Sequence, residues 1–62
     1  MKRKALLKLL QQAGCVLVRE GARHSVFFNP SLRRTSTIPR HAEIHDYLAK
    51  KICKDLGVNP IP

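Results

Sequence analysis

The sequence predicts an α+β fold in the order α-β-β-β-α, with a three-stranded antiparallel sheet and two helices on one face of that sheet. Two amphipathic segments, one near each end of the chain, carry apolar residues at helical spacing. Between them lie three short segments that are rich in β-branched and aromatic residues and are separated by turn residues. In a chain of 62 residues, packing both helices on one face of a meander is the simplest way to bury both apolar stripes. We expect one domain over residues 1–62, near the lower size limit for a self-sufficient core.

The first helix is predicted over residues 2–13. Leu6, Leu9 and Leu10 recur at helical spacing, and Gly14 supplies the stop. The first turn, residues 2–4, is basic, and cations at a helix N-terminus oppose the helix dipole by a few tenths of a kcal/mol each. Helix stability therefore does not explain these cations. Two interpretations remain: anion binding, or a frayed terminus that tolerates any solubilising charge.

A β-hairpin is predicted next. The apolar segments 15–18 and 26–28 flank a turn over residues 21–23, which places His24 at the first position of the second strand. Alternation does not decide which side of this strand faces the helices, because the His24 side and the Ser25 side each include a phenylalanine. One aromatic side is thus left over, which is compatible with a partner that covers part of the sheet.

A third strand is predicted over residues 35–38. This segment is rich in residues that favour extended backbone, and Pro39 forces its predecessor out of the helical region. The sequence Asn-Pro-Ser at residues 29–31 is typical of a turn. Arg33 and Arg34 are therefore expected in the loop between the second and third strands.

The second helix is predicted from the apolar residues Leu48, Ile52 and Leu56, which are spaced i, i+4 and i+8. Asp46 is expected to cap the start of this helix, and Gly57 is expected to end it. The residues after Gly57 are expected to form a short tail.

The charge of the chain is strongly positive: twelve Lys and Arg stand against four Asp and Glu, for a net charge of +8. Such an excess repels itself, so the expected counterpart is polyanionic. Cys15 and Cys53 lie in apolar segments and are expected to be small buried hydrophobes of a cytosolic protein. No apolar run is long enough to span a membrane, and no cleavage-site pattern follows the N-terminal leucines. We expect a cytoplasmic protein that does not contact a membrane.

Histidine can accept and donate a proton near neutral pH. His24 and its neighbour Arg23 supply what RNA transphosphorylation requires, namely a group that takes the proton of the ribose 2′-hydroxyl and a cation that stabilises the phosphorane. No metal is needed for that chemistry. On the residues alone, an ordinary surface or packing role for His24 is the commoner outcome.

Metal binding is the competing use of histidine. His41 and His45 are spaced i, i+4, as two ligands on a helix would be, but Pro39 and the cap expected at Asp46 place both before the helix. No H-E-x-x-H motif, cysteine pair or glycine-rich phosphate loop occurs. We therefore expect no metal and no small-molecule cofactor.

The aromatic residues are few: Phe27, Phe28 and Tyr47. A small core needs some of them, so base stacking is expected to contribute little to RNA binding. Binding that rests on phosphate contacts should show little sequence preference and strong salt dependence.

Several short motifs follow one another along the chain. They are a leading helix that ends in Gly14, Cys-Val-Leu-Val-Arg over residues 15–19, Gly21 with His24-x-x-Phe27, Asn29-Pro30, Thr-Ile-Pro-Arg-His over residues 37–41, and Ile52-x-x-x-Leu56-Gly57. Over nearly the whole chain this order and spacing resembles the HicA (YcfA-like) toxins of bacterial toxin–antitoxin modules. These are small mRNA interferases with a fold related to the double-stranded RNA-binding domain. Each motif alone is weak, and the combination is fairly specific.

The resemblance implies an endoribonuclease with His24 as its catalytic residue. In the family, the catalytic histidine usually follows a Gly-Ser pair and precedes an aromatic residue by three positions, which here is Phe27. This chain departs from the pattern, because its turn has one more residue and no serine. From its place just after the third strand, His41 is expected either to pack structurally or to act as the second proton-transfer group. His45, near the expected helix cap, is expected to be a surface residue.

The resemblance also implies partners. The expected RNA ligand is mRNA, with its phosphates held by Arg23, Arg33, Arg34 and Lys4, and the expected protein partner is a HicB-like antitoxin that blocks the RNA-facing surface. Two alternatives stay open: a non-catalytic RNA-binding module of the same fold, and a degenerate member that binds only its antitoxin.

Overall fold

A computed structural model describes residues 1–59 of the chain. In order, the elements are α1 (Arg3–Gln12), β1 (Val16–Glu20), β2 (His24–Asn29), β3 (Arg34–Pro39) and α2 (Asp46–Leu56). The strands form one antiparallel sheet in the order β1-β2-β3. The predicted α-β-β-β-α order is confirmed, and so is the start of the second strand at His24. No helix within residues 1–59 has the length and apolar character needed to cross a membrane.

The start of α2 differs from the prediction. Its N-cap is His45, which makes no side-chain capping bond, and Asp46 is the first residue inside the helix. The Asp46 carboxylate instead accepts a hydrogen bond of 3.1 Å from the Met1 amino group, so the prediction that Asp46 caps the helix is wrong. The ammonium beside it lowers the pKa of the Asp46 carboxyl.

The end of α2 is a Schellman motif. Gly57 has a left-handed backbone with φ of 69°, its N–H donates to the Lys54 carbonyl, and the Val58 N–H donates to the Cys53 carbonyl at 2.7 Å. The predicted stop at Gly57 is confirmed. Val58 is buried in the core, so it is not part of a tail, and residues 60–62 of the predicted tail lie outside the described part of the chain.

The helices cover one face of the sheet, which we call the helix face. On β2 the buried residues are Ser25, Phe27 and Asn29, so the side of the strand that begins with Ser25 faces the helices. Phe27 is 2 % exposed and packs in the core with residues of both helices. The Asn29 amide donates to the Leu56 carbonyl at 2.6 Å and thereby ties the end of β2 to the end of α2.

No helix or strand among residues 1–59 covers the opposite side of the sheet, and we call it the open face. Residues paired across antiparallel strands share a face, so the open face is defined by the residues of β2 that alternate with the buried ones and by their partners. It consists of Val16 and Arg19 of β1, His24, Val26 and Phe28 of β2, and Thr35, Thr37 and Pro39 of β3. His24 and Phe28 therefore lie on the same side of the sheet.

A β-bulge in β1 decides which of its side chains reach the open face. Leu17 pairs with Phe27 and Arg19 pairs with Val26, so Val18 is an extra residue without its own partner. Without that extra residue every later side chain of β1 would change sides. The bulge thus puts Arg19 on the open face and Glu20 on the helix face.

Burial protects the two cysteines, as predicted. Cys15 is 3 % exposed and Cys53 is 1 % exposed, both thiols are free, and burial raises the pKa of each. Because the thiolate is the reactive form, we expect neither cysteine to react with a disulfide reagent at pH 8 until urea unfolds the domain. Thiol titration across a urea gradient, compared with unfolding followed by circular dichroism, measures this. Fast labelling of folded protein would contradict it.

Candidate functional site

His24 stands at the corner where the first hairpin turn meets the open face. The turn is closed by a hydrogen bond of 2.8 Å from the Gly21 N–H to the His24 carbonyl. The His24 side chain is exposed and lines a shallow depression of about 580 Å³. We call this the His24 depression, and its walls are Ala22, Arg23, His24, Pro39, Arg40 and His41.

The pairing of β2 with β3 brings the second histidine to the same place. His24 pairs with Pro39, and one residue later the Arg40 N–H donates to the Arg23 carbonyl at 3.2 Å. The chain after β3 therefore runs beside the turn, and His41 follows as another wall of the depression. Two histidines and two arginines thus line one depression at an exposed corner of the sheet.

Arg40 fastens this corner. Its Nη1 donates to the Gly21 carbonyl at 3.0 Å and lies 3.4 Å from the Glu20 carboxylate. Gly21 begins the turn that leads to His24, so Arg40 links the chain after β3 to the start of that turn.

A second set of contacts supports the corner from the helix face. Arg3 of α1 donates through Nε to the Pro39 carbonyl at 2.9 Å and through Nη2 to the Ser25 hydroxyl at 2.7 Å. The Ser25 hydroxyl in turn donates to Glu20 at 2.5 Å. Arg3 therefore joins the first helix to the third strand, and the Ser25 hydroxyl joins Arg3 to the first strand, directly behind His24.

We expect Ser25→Ala to lower the free energy of unfolding by about 1–3 kcal/mol, because it leaves two charged groups without their shared partner. Ser31→Ala is the control: that side chain is exposed in a turn, and the expected change is within about 0.5 kcal/mol. Urea unfolding of both variants measures the difference. Equal stability of the two variants would show that the hydroxyl adds nothing.

The residues predicted to bind phosphates divide between two ends of the sheet. Arg23 lies in the His24 depression, and Lys4 lies in the first turn of α1, which reaches the same end through the hydrogen bond from Arg3 N–H to the Ala42 carbonyl. Arg34 pairs with Asn29 at the far end of β2, about 17 Å from His24 for strand geometry. Arg33 precedes it in the turn, with φ of 54°. The structure does not bring these two arginines to the histidine, and Arg34 begins β3, so its predicted place in the loop is wrong by one residue.

The basic first turn of α1 has a structural explanation for two of its three cations. Lys2 pairs with Glu43 at 3.1 Å, and Arg3 is held by Ser25 and Pro39. The Lys2 ammonium holds the pKa of the Glu43 carboxyl below its usual range. Only Lys4 of this turn remains exposed without an ion pair within residues 1–59.

Sequence reasoning missed two arginines of this region. Arg40 was not singled out, although its place directly after the third strand and directly before His41 was a usable signal. Arg19 reaches the open face only because of the bulge at Val18. The Val-Leu-Val sequence of residues 16–18 has no feature that predicts a bulge.

His45 lies away from this corner. It precedes α2, and its ring centroid lies 5.4 Å from that of Tyr47. Within residues 1–59 no three His, Cys, Asp or Glu side chains are grouped so that they could hold a metal ion.

Comparison with known proteins gives one match. A family model described as the HicA toxin of bacterial toxin–antitoxin matches residues 3–58, which is nearly the whole chain and includes the entire His24 depression. No curated protein and no solved structure matches. The motifs that run from Gly14 to Gly57 all lie inside the matched range, and the chain therefore belongs to the HicA toxin family of bacterial toxin–antitoxin systems.

Proposed function

We propose that this chain is the toxin of a type II toxin–antitoxin module and a metal-independent endoribonuclease that cleaves mRNA, with His24 as general acid or base. One observation carries the proposal: two histidines and two arginines line the His24 depression at an exposed corner of the sheet. Family membership supplies the biological context, a toxin with an antitoxin partner.

The proposed reaction is transphosphorylation. An imidazole takes the proton of a ribose 2′-hydroxyl, the 2′-oxygen forms a bond to the adjacent phosphorus, and the bond from phosphorus to the 5′-oxygen breaks as that oxygen receives a proton. The products are a 2′,3′-cyclic phosphate and a 5′-hydroxyl. Every step is proton transfer or substitution at phosphorus, which histidine side chains can serve near neutral pH.

The cations have two proposed roles, charge stabilisation at the cleaved phosphate and binding of other phosphates. Arg23 and Arg40 line the His24 depression, and in this proposal they stabilise the extra negative charge of the phosphorane. Lys4 at the same end and Arg33 and Arg34 at the far end hold phosphates farther along the RNA. Because these contacts are electrostatic, binding should weaken steeply as salt is raised.

The proposed protein partner is a HicB-like antitoxin that covers the RNA-facing surface. A net charge of +8 is complementary to an acidic partner, which would associate quickly at low salt. A neighbouring gene for a HicB-like protein, and loss of cleavage when that protein is added, are the expected observations.

The product ends test the chemistry. Purified chain incubated with RNA should yield cyclic phosphate and 5′-hydroxyl ends, at a rate that excess EDTA does not change. A 2′-O-methyl group at the cleaved nucleotide should block the reaction, because the attacking oxygen is then unavailable. Ends with a 5′-phosphate, or loss of cleavage in EDTA, would overturn the proposal; binding without cleavage would support the RNA-binding module instead.

The second proton-transfer group is proposed to be His41. A pair of proton-transfer groups gives a bell-shaped dependence of kcat/KM on pH. His41→Ala should remove one limb of that profile and leave the other in place, whereas a packing role for His41 would lower the rate equally at every pH.

A further inference from the structure

We propose that the open face holds an unpaired segment of the RNA substrate and that Phe28 is a base-stacking residue on it. This departs from the expectation that base stacking contributes little, because the core takes up Phe27 and leaves Phe28 on the open face. This inference rests on the proposed function for the identity of the ligand. Its support comes from the placement of Phe28, from the charge of the open face and from the distance to His24.

The two adjacent phenylalanines have opposite environments. Phe27 is 2 % exposed in the core, whereas Phe28 is only partly buried on the open face. The neighbours of Phe28 across the sheet are Val16, which is 45 % exposed, and Thr35, which is also exposed. No helix among residues 1–59 covers this row of three residues, and part of the Phe28 side chain is exposed.

The open face carries no negative charge. All four acidic residues lie elsewhere: Glu20 on the helix face, Glu43 beside the N-terminus of α1, and Asp46 and Asp55 on α2. The next row across the sheet is Arg19, Val26 and Thr37.

The chemical character of these two rows therefore changes across the sheet, from a guanidinium on β1 through apolar side chains on β2 to hydroxyl groups on β3. Phosphates, bases and ribose hydroxyls each find a partner on such a surface. A purely apolar protein segment would leave the Arg19 charge and the threonine hydroxyls without partners, which argues for RNA as the occupant.

The distance to His24 fits a short stretch of RNA. Phe28 lies four residues beyond His24 on the same side of β2, which corresponds to about 13 Å. A strand of RNA that follows β2 thus has one base on Phe28 while a phosphate a few nucleotides away lies in the His24 depression. Bases of a duplex already stack on one another and do not offer a free face, so the bound segment is unpaired.

Binding of a labelled single-stranded RNA to the His24→Ala protein, followed by fluorescence anisotropy, tests the inference without cleavage. In that background Phe28→Leu should weaken binding about 5- to 100-fold, as loss of one stacked base does, and Phe28→Tyr should restore it. Binding of a duplex should be insensitive to both changes. A 2-aminopurine base at the stacked position should be quenched on binding, and Phe28→Leu should relieve the quenching.

Tyr47→Leu is the matched control, because Tyr47 is 72 % exposed but lies on α2. It should leave RNA affinity unchanged. Unchanged RNA affinity and unchanged quenching in Phe28→Leu would overturn the inference. It would also be overturned if Phe28→Leu weakened binding to an acidic antitoxin and left RNA binding unchanged. The proposed function can fail independently of this inference. If RNA binding depends on Phe28 but the RNA is never cleaved, the nuclease is refuted and the stacking role of Phe28 stands. If RNA is cleaved and Phe28→Leu leaves KM unchanged, the stacking role is refuted and the nuclease stands.

Discussion

Replacing His24 with alanine is expected to slow RNA cleavage about 10²- to 10⁴-fold, the usual contribution of a positioned general acid or base. The fold should survive, because the His24 side chain is exposed and the turn around it is held by backbone bonds and by Arg40. RNA affinity should survive as well, because the cations remain. Initial cleavage rates, anisotropy with labelled RNA and circular dichroism measure the three properties on the same preparation.

His45→Ala is the matched control for this result, since it removes an exposed histidine that lies outside the His24 depression. Its cleavage rate should equal that of the unchanged chain. Undiminished cleavage by His24→Ala would remove His24 from the mechanism. A rate that falls equally in both variants would point to a general effect of lost histidine rather than to this corner.

Phe27→Ala is expected to unfold most of the protein. Removing a buried phenylalanine costs about 3–5 kcal/mol, and a domain of this length has a total stability of about 3–9 kcal/mol at 0.05–0.15 kcal/mol per residue. The expected loss therefore approaches or exceeds the total free energy of unfolding of the domain. Far-ultraviolet circular dichroism in the absence of denaturant and urea unfolding, where a transition remains, measure it.

Tyr47→Ala removes an aromatic ring of similar size from the surface and should change stability by about 0.5 kcal/mol or less. If Phe27→Ala lost no more stability than Tyr47→Ala, the placement of Phe27 in the core would be wrong. The two neighbouring phenylalanines are therefore expected to differ in role: Phe27 contributes to folding, and Phe28 is proposed to contribute to RNA binding.

The parts of the fold that were predictable depend on local signals. Gly14 and Gly57 mark helix ends through backbone conformations that other residues adopt at a cost, and the turn before His24 is bounded by two clear apolar segments. These features fix the five elements and the position of His24 at the start of β2. A capping role for Asp46 was the failure among them, because the Met1 amino group, which is remote in sequence, takes up that carboxylate.

The orientation of the sheet was not predictable, for a physical reason. Alternation in β2 gives one phenylalanine to each side, so only packing against the helices decides between them. The bulge at Val18 has no sequence signature either, and it alone determines the sides of Arg19 and Glu20. The support of His24 by Arg40 and Ser25 depends on that outcome.

The separation of the predicted phosphate ligands could have been derived. In an antiparallel meander, successive turns lie at opposite ends of the sheet, so the turn that holds Arg33 and the turn that holds Arg23 cannot adjoin. The two groups of arginines therefore lie at opposite ends of the sheet and do not form a single cluster.

The bulge has a further consequence for the behaviour of the chain in a crowded solution. β1 is an edge strand, and Val16, Leu17 and Val18 are 45 %, 48 % and 54 % exposed. A flat, exposed apolar edge strand is a template for aggregation, in which strands of neighbouring molecules add to the sheet. The extra residue at Val18 interrupts the regular backbone pattern of that edge, and Arg19 follows it with a charge that repels a second copy of the same strand. A single inserted residue thus sets the side of the sheet on which Arg19 lies and also interrupts an exposed apolar edge strand that could otherwise pair with a second copy of itself.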